Sequence, residues 1–84
     1  MGEEIDRLGA TPVYQQVAQI IRARINAGKL KPNRPIPSEA QLEQEFGVAR
    51  ETARKAVAVL REDGLVVTVR GRGSFVVERE MPAP

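Results

Sequence analysis

The 84-residue chain contains no cysteine, no histidine and no tryptophan, and only three aromatic residues. Without cysteine there can be no disulfide, no thiolate metal site and no thiol nucleophile. Without histidine, the commonest general base and the commonest neutral metal ligand are missing as well. An enzyme would find serine hydroxyls only at Ser38 and Ser74, with no imidazole to activate them. No catalytic residue, no cofactor and no metal is therefore expected. Apolar runs are only a few residues long, too short for a bilayer, and the first residues do not read as a secretory leader. These absences point to a cytoplasmic, non-catalytic module with no membrane partner.

What is present is enough for one small core: 42% of the residues are hydrophobic and 29% are charged. The net charge is only +2, but it is unevenly distributed. Residues 7–38 carry six basic groups and no acidic one, residues 39–45 carry three acidic groups, and residues 46–75 carry six basic against three acidic. A nearly neutral chain with its positive charge in two blocks can still present one basic face.

Residues 1–10 show no periodicity and are expected to form a flexible tail. Thr11-Pro12 reads as a helix start, with Thr11 as the cap and Pro12 in the first turn. Val13, Val17, Ile20 and Ile21 then recur at helical spacing up to Gly28, giving a helix over about 12–27. Three prolines at 32, 35 and 37 force an extended path, and only Ile36 offers a short edge strand. Ser38 with Gln41 three residues later is a capping box, opening a second helix that buries Leu42 and Phe46 and stops at Gly47.

A third helix is expected from after Ala49 to about Asp63, with Ala53, Ala56, Val57 and Leu60 inward. At about 100° per residue, Arg50, Arg54 and Arg61 share one edge of its outward side. Leu65–Val69 and Ser74–Val77 read as a hairpin around Arg70-Gly71-Arg72-Gly73. An isolated hairpin is marginal in water, so one of its faces must lie on the helices: the Leu65/Val67/Phe75 side or the alternate one. The expected fold is α+β, mainly α: a winged helix-turn-helix ordered helix, edge strand, helix, helix, and two hairpin strands. A helix of this kind fits the DNA major groove, and the hairpin tip can reach the flanking backbone or minor groove.

Four stretches carry a more specific likeness: Pro37-Ser38-Glu39-x-x-Leu42, Phe46-Gly47-Val48-x-Arg50-x-Thr52-x-Arg54-x-Ala56, Leu60-x-x-x-Gly64-Leu65-Val66 and Gly71-Arg72-Gly73-Ser74-Phe75-Val76. In this order, over residues 11–77, they resemble the GntR family of bacterial transcription regulators. Pro12-Val13-Tyr14-x-Gln16-Val17 is similar to the start of its HutC-like and YtrA-like branches. The resemblance implies a winged helix-turn-helix domain over 11–77 that acts as a homodimer on a pseudo-palindromic double-stranded DNA operator, usually as a repressor. Residues 78–84 would then be a flexible tail, or a linker to an absent effector domain, with no effector bound by the domain itself. Arg50 and Arg54 would read base edges, Thr52 would touch phosphate, and Gly71 with Arg70 and Arg72 would enter the minor groove. Ala40 stands where an arginine that touches DNA is common, and Ala49 replaces the usual hydroxyl residue before the third helix.

Each candidate also has a plainer reading. Arg50, Arg54, Arg70 and Arg72 could simply be solvated; two glycines flanking Arg72 argue for closer contact. Glu51 could accept from a cytosine amine or hold an arginine in place. Ser38 serves first as a cap, with backbone phosphate as a second role. Arg61 reads as solvated or paired with an acidic neighbour, and Arg22, Arg24, Lys29 and Lys31 as a general basic surface. The rival class is a winged helix that binds protein, which predicts an apolar outer surface on the third helix where Arg50, Arg54 and Lys55 stand instead.

Overall fold

The computed structural model describes residues 5–78. Three helices, α1 (Val13–Asn26), α2 (Glu39–Phe46) and α3 (Arg50–Glu62), precede an antiparallel hairpin, β1 (Val66–Val69) and β2 (Gly73–Val76). Val17, Ala18 and Ile21 of α1 meet Ala53, Ala56, Val57 and Leu60 of α3, with Leu42 and Phe46 of α2 closing the core. Three of those inward residues are alanines, so α1 and α3 can approach closely without a cavity between them.

The helix boundaries follow local chemistry. Ser38 caps α2 as anticipated: its Oγ accepts from the Gln41 amide at 3.1 Å, and Gln41 Oε1 accepts from the Ser38 amide at 2.8 Å. Gly47 ends α2 at φ +64°, a left-handed position that glycine occupies without a Cβ penalty. The chain turns there and restarts as α3 two residues past Val48, so the two helices form a helix-turn-helix. At α1 the reading needs correction: Pro12 itself is the cap residue, and no side chain caps that end. Thr11 instead gives its carbonyl to Gln16 Nε2 at 2.8 Å.

The expected edge strand is reduced to a single bridge, Pro35 opposite Phe75. The extended segment does run beside β2, with the Asn33 and Ile36 amides donating to Val76 and Ser74, and Val76 donating to Arg34. Proline at 32, 35 and 37 removes the alternate donors that a continuous ladder needs, so pairing cannot propagate. The hairpin lays its alternate side inward. Val66 and Val76, directly paired, are buried together with Leu65, whereas Val67 is 48% exposed. Thr68 and Ser74 share that inward face, since side chains alternate along a strand.

Part of the segment expected as a tail touches the body. Ile5 packs on the core, Asp6 exchanges two hydrogen bonds with the Gln16 amide group, and Arg7 donates to the carbonyls of Phe46 and Gly47 at 3.1 and 2.7 Å. The tail expected over 78–84 lies outside the described residues beyond Glu78.

Candidate nucleic-acid interface

The start of α2, the outer edge of α3 and the hairpin enclose a concavity of about 370 Å³. Its walls are Pro37 to Ala40, Arg50, Arg54, Val57, Arg61, Thr68, Gly73 and Ser74. The helical phase places the three arginines on one edge, as the spacing of 50, 54 and 61 requires.

Arg50 is 80% exposed, with Nε 4.0 Å from Glu43 Oε2, a contact too loose to fix the side chain. Arg54 is 65% exposed and donates to both oxygens of Glu51, at 2.8 and 2.9 Å. That hydrogen bond, with the Arg54 and Lys55 charges, holds the Glu51 carboxyl below its ordinary value; the same hydrogen bond and the Glu51 charge keep Arg54 more firmly protonated. Of the two roles open to Glu51, holding an arginine is the one seen in this structure.

Ser38 borders this concavity and also a neighbouring one of about 430 Å³, whose far wall includes Arg72. Gly73 and Ser74 are common to both, so the tip end of the hairpin joins the α2 N-terminus to Arg72. Arg70 and Gly71 are exposed at the hairpin tip. Gly71 has φ +78° with open space where a side chain would be, so backbone there is accessible to a neighbouring molecule. Thr52 lies in the first turn of α3, half-buried and away from the concavity. The structure therefore gathers Ser38, Arg50, Arg54 and Arg72 around two adjoining hollows, with Glu51 held on Arg54; Arg70 and Gly71 stand at the tip and Thr52 apart.

Two residues at this site, Thr68 and Ser74, were not anticipated from sequence, and they engage Arg61, which was placed on this edge. Arg61 is exposed, as expected, and pairs with no acid among the described residues: its Nη1 donates to Thr68 Oγ1 at 3.1 Å, and Thr68 Oγ1 shares a hydrogen bond with Ser74 Oγ at 2.9 Å. The strand alternation could have signalled it, because it puts the Thr68 and Ser74 hydroxyls on the hairpin face turned towards α3, within reach of an arginine on its outer edge. The basic surface expected around Arg22 and Arg24 is also corrected. Arg22 pairs with Asp63, and Arg24 pairs with Glu45 while lying 5.7 Å from the Phe46 ring centre. Lys55 lies over the Tyr14 ring at 5.8 Å. Arg22 and Arg24 are thus neutralised by carboxylates and Lys55 is set against a ring, while Lys29, Lys31, Arg34, Arg70 and Arg72 have no ion-pair partner among the described residues.

Among the described residues no cluster of three or more acidic, histidine or cysteine side chains could hold a metal ion, and no helix is long and apolar enough to cross a membrane.

Comparison with known proteins is consistent with this geometry. The family model described as bacterial regulatory proteins, gntR family, matches residues 13–76. The HTH-type transcriptional repressor NagR of Bacillus subtilis is 35% identical over 77 residues, which is 92% of this chain and 32% of that protein. The histidine utilization repressor of Klebsiella aerogenes is 40% identical over 86% of this chain and 30% of its own length. The chain thus spans about a third of the length of the curated relatives it matches. Among solved structures, the DNA-binding domain of AraR in complex with operator ORX1 superposes with a TM-score of 0.78 at 42% identity, covering 87% of each chain. YtrA from Sulfolobus acidocaldarius, a GntR-family transcription factor, gives 0.82 at 35% identity over 92% of this chain and 81% of that one.

Proposed function

The chain belongs to the gntR family of bacterial regulatory proteins, and on that premise we propose that it binds double-stranded DNA sequence-specifically as a transcriptional regulator, acting as a repressor. The observation that carries this reading is the pair Arg50 and Arg54: both exposed, one turn apart, on the outer edge of α3 and on the wall shared with the wing. A helix enters the roughly 12 Å major groove, where an arginine fork matches guanine O6 and N7 and no other base edge as well. With α3 in that groove, Gly71 and its flanking Arg70 and Arg72 would meet the adjoining minor groove, where the absent Cβ permits close approach. Ser38, at the N-terminus of α2, and Thr52 would donate to backbone phosphates through their hydroxyl and amide groups. Glu51 would hold Arg54 until a guanine replaces its carboxylate.

One domain of this size covers on the order of 600–1,000 Å² of DNA, a small footprint for tight binding. Two copies on a pseudo-palindromic operator would supply the rest. A DNA partner would also place the protein in the bacterial cytoplasm, and effector sensing would fall to residues other than these.

The test is a fluorescence-anisotropy titration of the promoter DNA of its own gene against a scrambled duplex, with Arg54→Ala alongside. Wild type should prefer the promoter, and Arg54→Ala should lose roughly 1–3 kcal/mol of that preference. Equal affinity of wild type and variant for the promoter site would overturn the reading. The rival role as a protein-docking winged helix finds no support in an α3 edge that carries three arginines.

A further inference from the structure

We infer that Arg61 holds a DNA backbone phosphate between α3 and the wing, positioned for it by the hydroxyls of Thr68 and Ser74; this rests on the DNA-binding reading above. Arg61 stands seven residues past Arg54, about 10 Å further along the same edge of α3. A straight helix in the major groove meets base edges along only a short stretch. A residue two turns beyond the base-reading pair faces the sugar-phosphate wall instead.

The side chain is prepared for that role. An exposed arginine ordinarily samples many rotamers, and ordering it carries an entropic cost. Here Nη1 is already held at 3.1 Å by Thr68 Oγ1, so part of that ordering is complete before any ligand arrives. Arginine can only donate, so Thr68 must accept. Whichever hydroxyl donates across the 2.9 Å contact between Thr68 and Ser74, one hydroxyl proton is left without an acceptor. The remaining N–H groups of Arg61 have no carboxylate partner among the described residues. Arg61, Thr68 and Ser74 all line the one concavity that also contains Arg50 and Arg54. A fixed guanidinium fork beside a spare hydroxyl donor, with no base-like acceptor–donor alternation, suits a tetrahedral oxyanion.

The placement follows from strand alternation. Thr68 and Ser74 occupy the hairpin face that buries Val66 and Val76, but nearer the tip, where the apolar core has ended. Valine at those positions would have nothing to bury against, whereas two hydroxyls there bind the wing to the α3 arginine.

The experiment titrates the chain with two short duplexes of unrelated sequence, over a series of salt concentrations, and compares Arg61→Ala, Arg61→Lys and Thr68→Val/Ser74→Ala with wild type. Thermal melting checks that each variant is folded. Arg61→Ala should weaken binding to both duplexes by the same factor, on the order of three- to tenfold, and reduce the slope of log K against log salt by about one. Arg61→Lys should keep the slope and recover part of the affinity, since the charge stays and the fork is lost. Thr68→Val/Ser74→Ala should also keep the slope, because no charge is removed, yet weaken both complexes about two- to fivefold. A purely structural Arg61 would alter the melting temperature and leave the slope untouched, which would overturn the inference. So would a loss confined to one duplex, the mark of base reading. If wild type binds neither duplex even at low salt, the DNA-binding reading itself fails and this role falls with it.

Discussion

A single nitrogen of Arg54 contacts both carboxylate oxygens of Glu51, at 2.8 and 2.9 Å, from one turn further along the same helix. In the proposed complex that nitrogen faces a competition. Guanine offers O6 and N7 in the geometry of the fork and can replace the carboxylate, whereas a random site offers only phosphate charge, which Glu51 opposes. The pair thus raises the threshold for unselective binding more than for the correct base.

Glu51→Gln is therefore expected to tighten binding to scrambled duplex several-fold while changing promoter affinity little, so the ratio between them shrinks. Parallel anisotropy titrations at one salt concentration give both numbers. An unchanged or weakened scrambled-duplex affinity would show that Glu51 does not restrain Arg54.

The same pair has a pH signature in the free protein. The Arg54 hydrogen bond, then the Arg54 and Lys55 charges, lower the folded-state carboxyl below its ordinary value. A depressed carboxyl adds stability above its unfolded value, about 4.3, and that contribution is lost as pH falls through the folded one. The melting-temperature gap between wild type and Glu51→Gln should hold from neutral pH to about 5 and close below about 4. The gap will be small, because both groups are exposed and water screens them. A gap that widens on acidification would contradict the sign.

The three helices, their stop glycines and the capping box were readable because each rests on local chemistry: a period of 3.6, an Ser38–Gln41 reciprocal bond, a left-handed Gly47. The phase of α3 alone put Arg50, Arg54 and Arg61 on one edge, and it also predicted the burial of Ala53, Ala56, Val57 and Leu60. What was not readable depends on contacts between distant segments. The inward face of the hairpin could not be chosen, because Leu65-Val66-Val67 is apolar on both faces and only the helix surface decides between them. The partners of Arg22, Arg24 and Arg61 are 41, 21 and seven residues away, beyond any helical spacing rule or on another element. The contacts of Arg7 with the carbonyls of Phe46 and Gly47 leave no periodic trace either.

Ser38 has two roles that substitution can separate. Ser38→Ala removes the cap and should cost about 1 kcal/mol of stability, since the Gln41 amide loses its acceptor. Ser38→Asp keeps an equally good cap while placing a negative charge beside any bound phosphate. It should melt close to wild type yet bind duplex at least several-fold more weakly. Wild-type affinity in Ser38→Asp would remove Ser38 from the interface and leave it a cap alone.

Ala49 marks the opposite case, a cap position left unused. It precedes α3 with φ −72° and ψ 159°, the extended geometry in which a side-chain oxygen reaches the next amides, but it has no oxygen to offer. Ala49→Ser needs no backbone change, so the new hydroxyl should stabilise the domain by about 1 kcal/mol. For a domain of this size that raises the melting temperature by roughly 4–8 °C. The hydroxyl would also stand at the N-terminus of α3, beside the first turn that carries Arg50, where a phosphate can accept it; promoter affinity should hold or improve. Calorimetry on the two proteins in one buffer measures the shift. A melting temperature equal to or below that of wild type would mean that the first-turn amides of α3 are already satisfied by solvent, and that the cap adds nothing there.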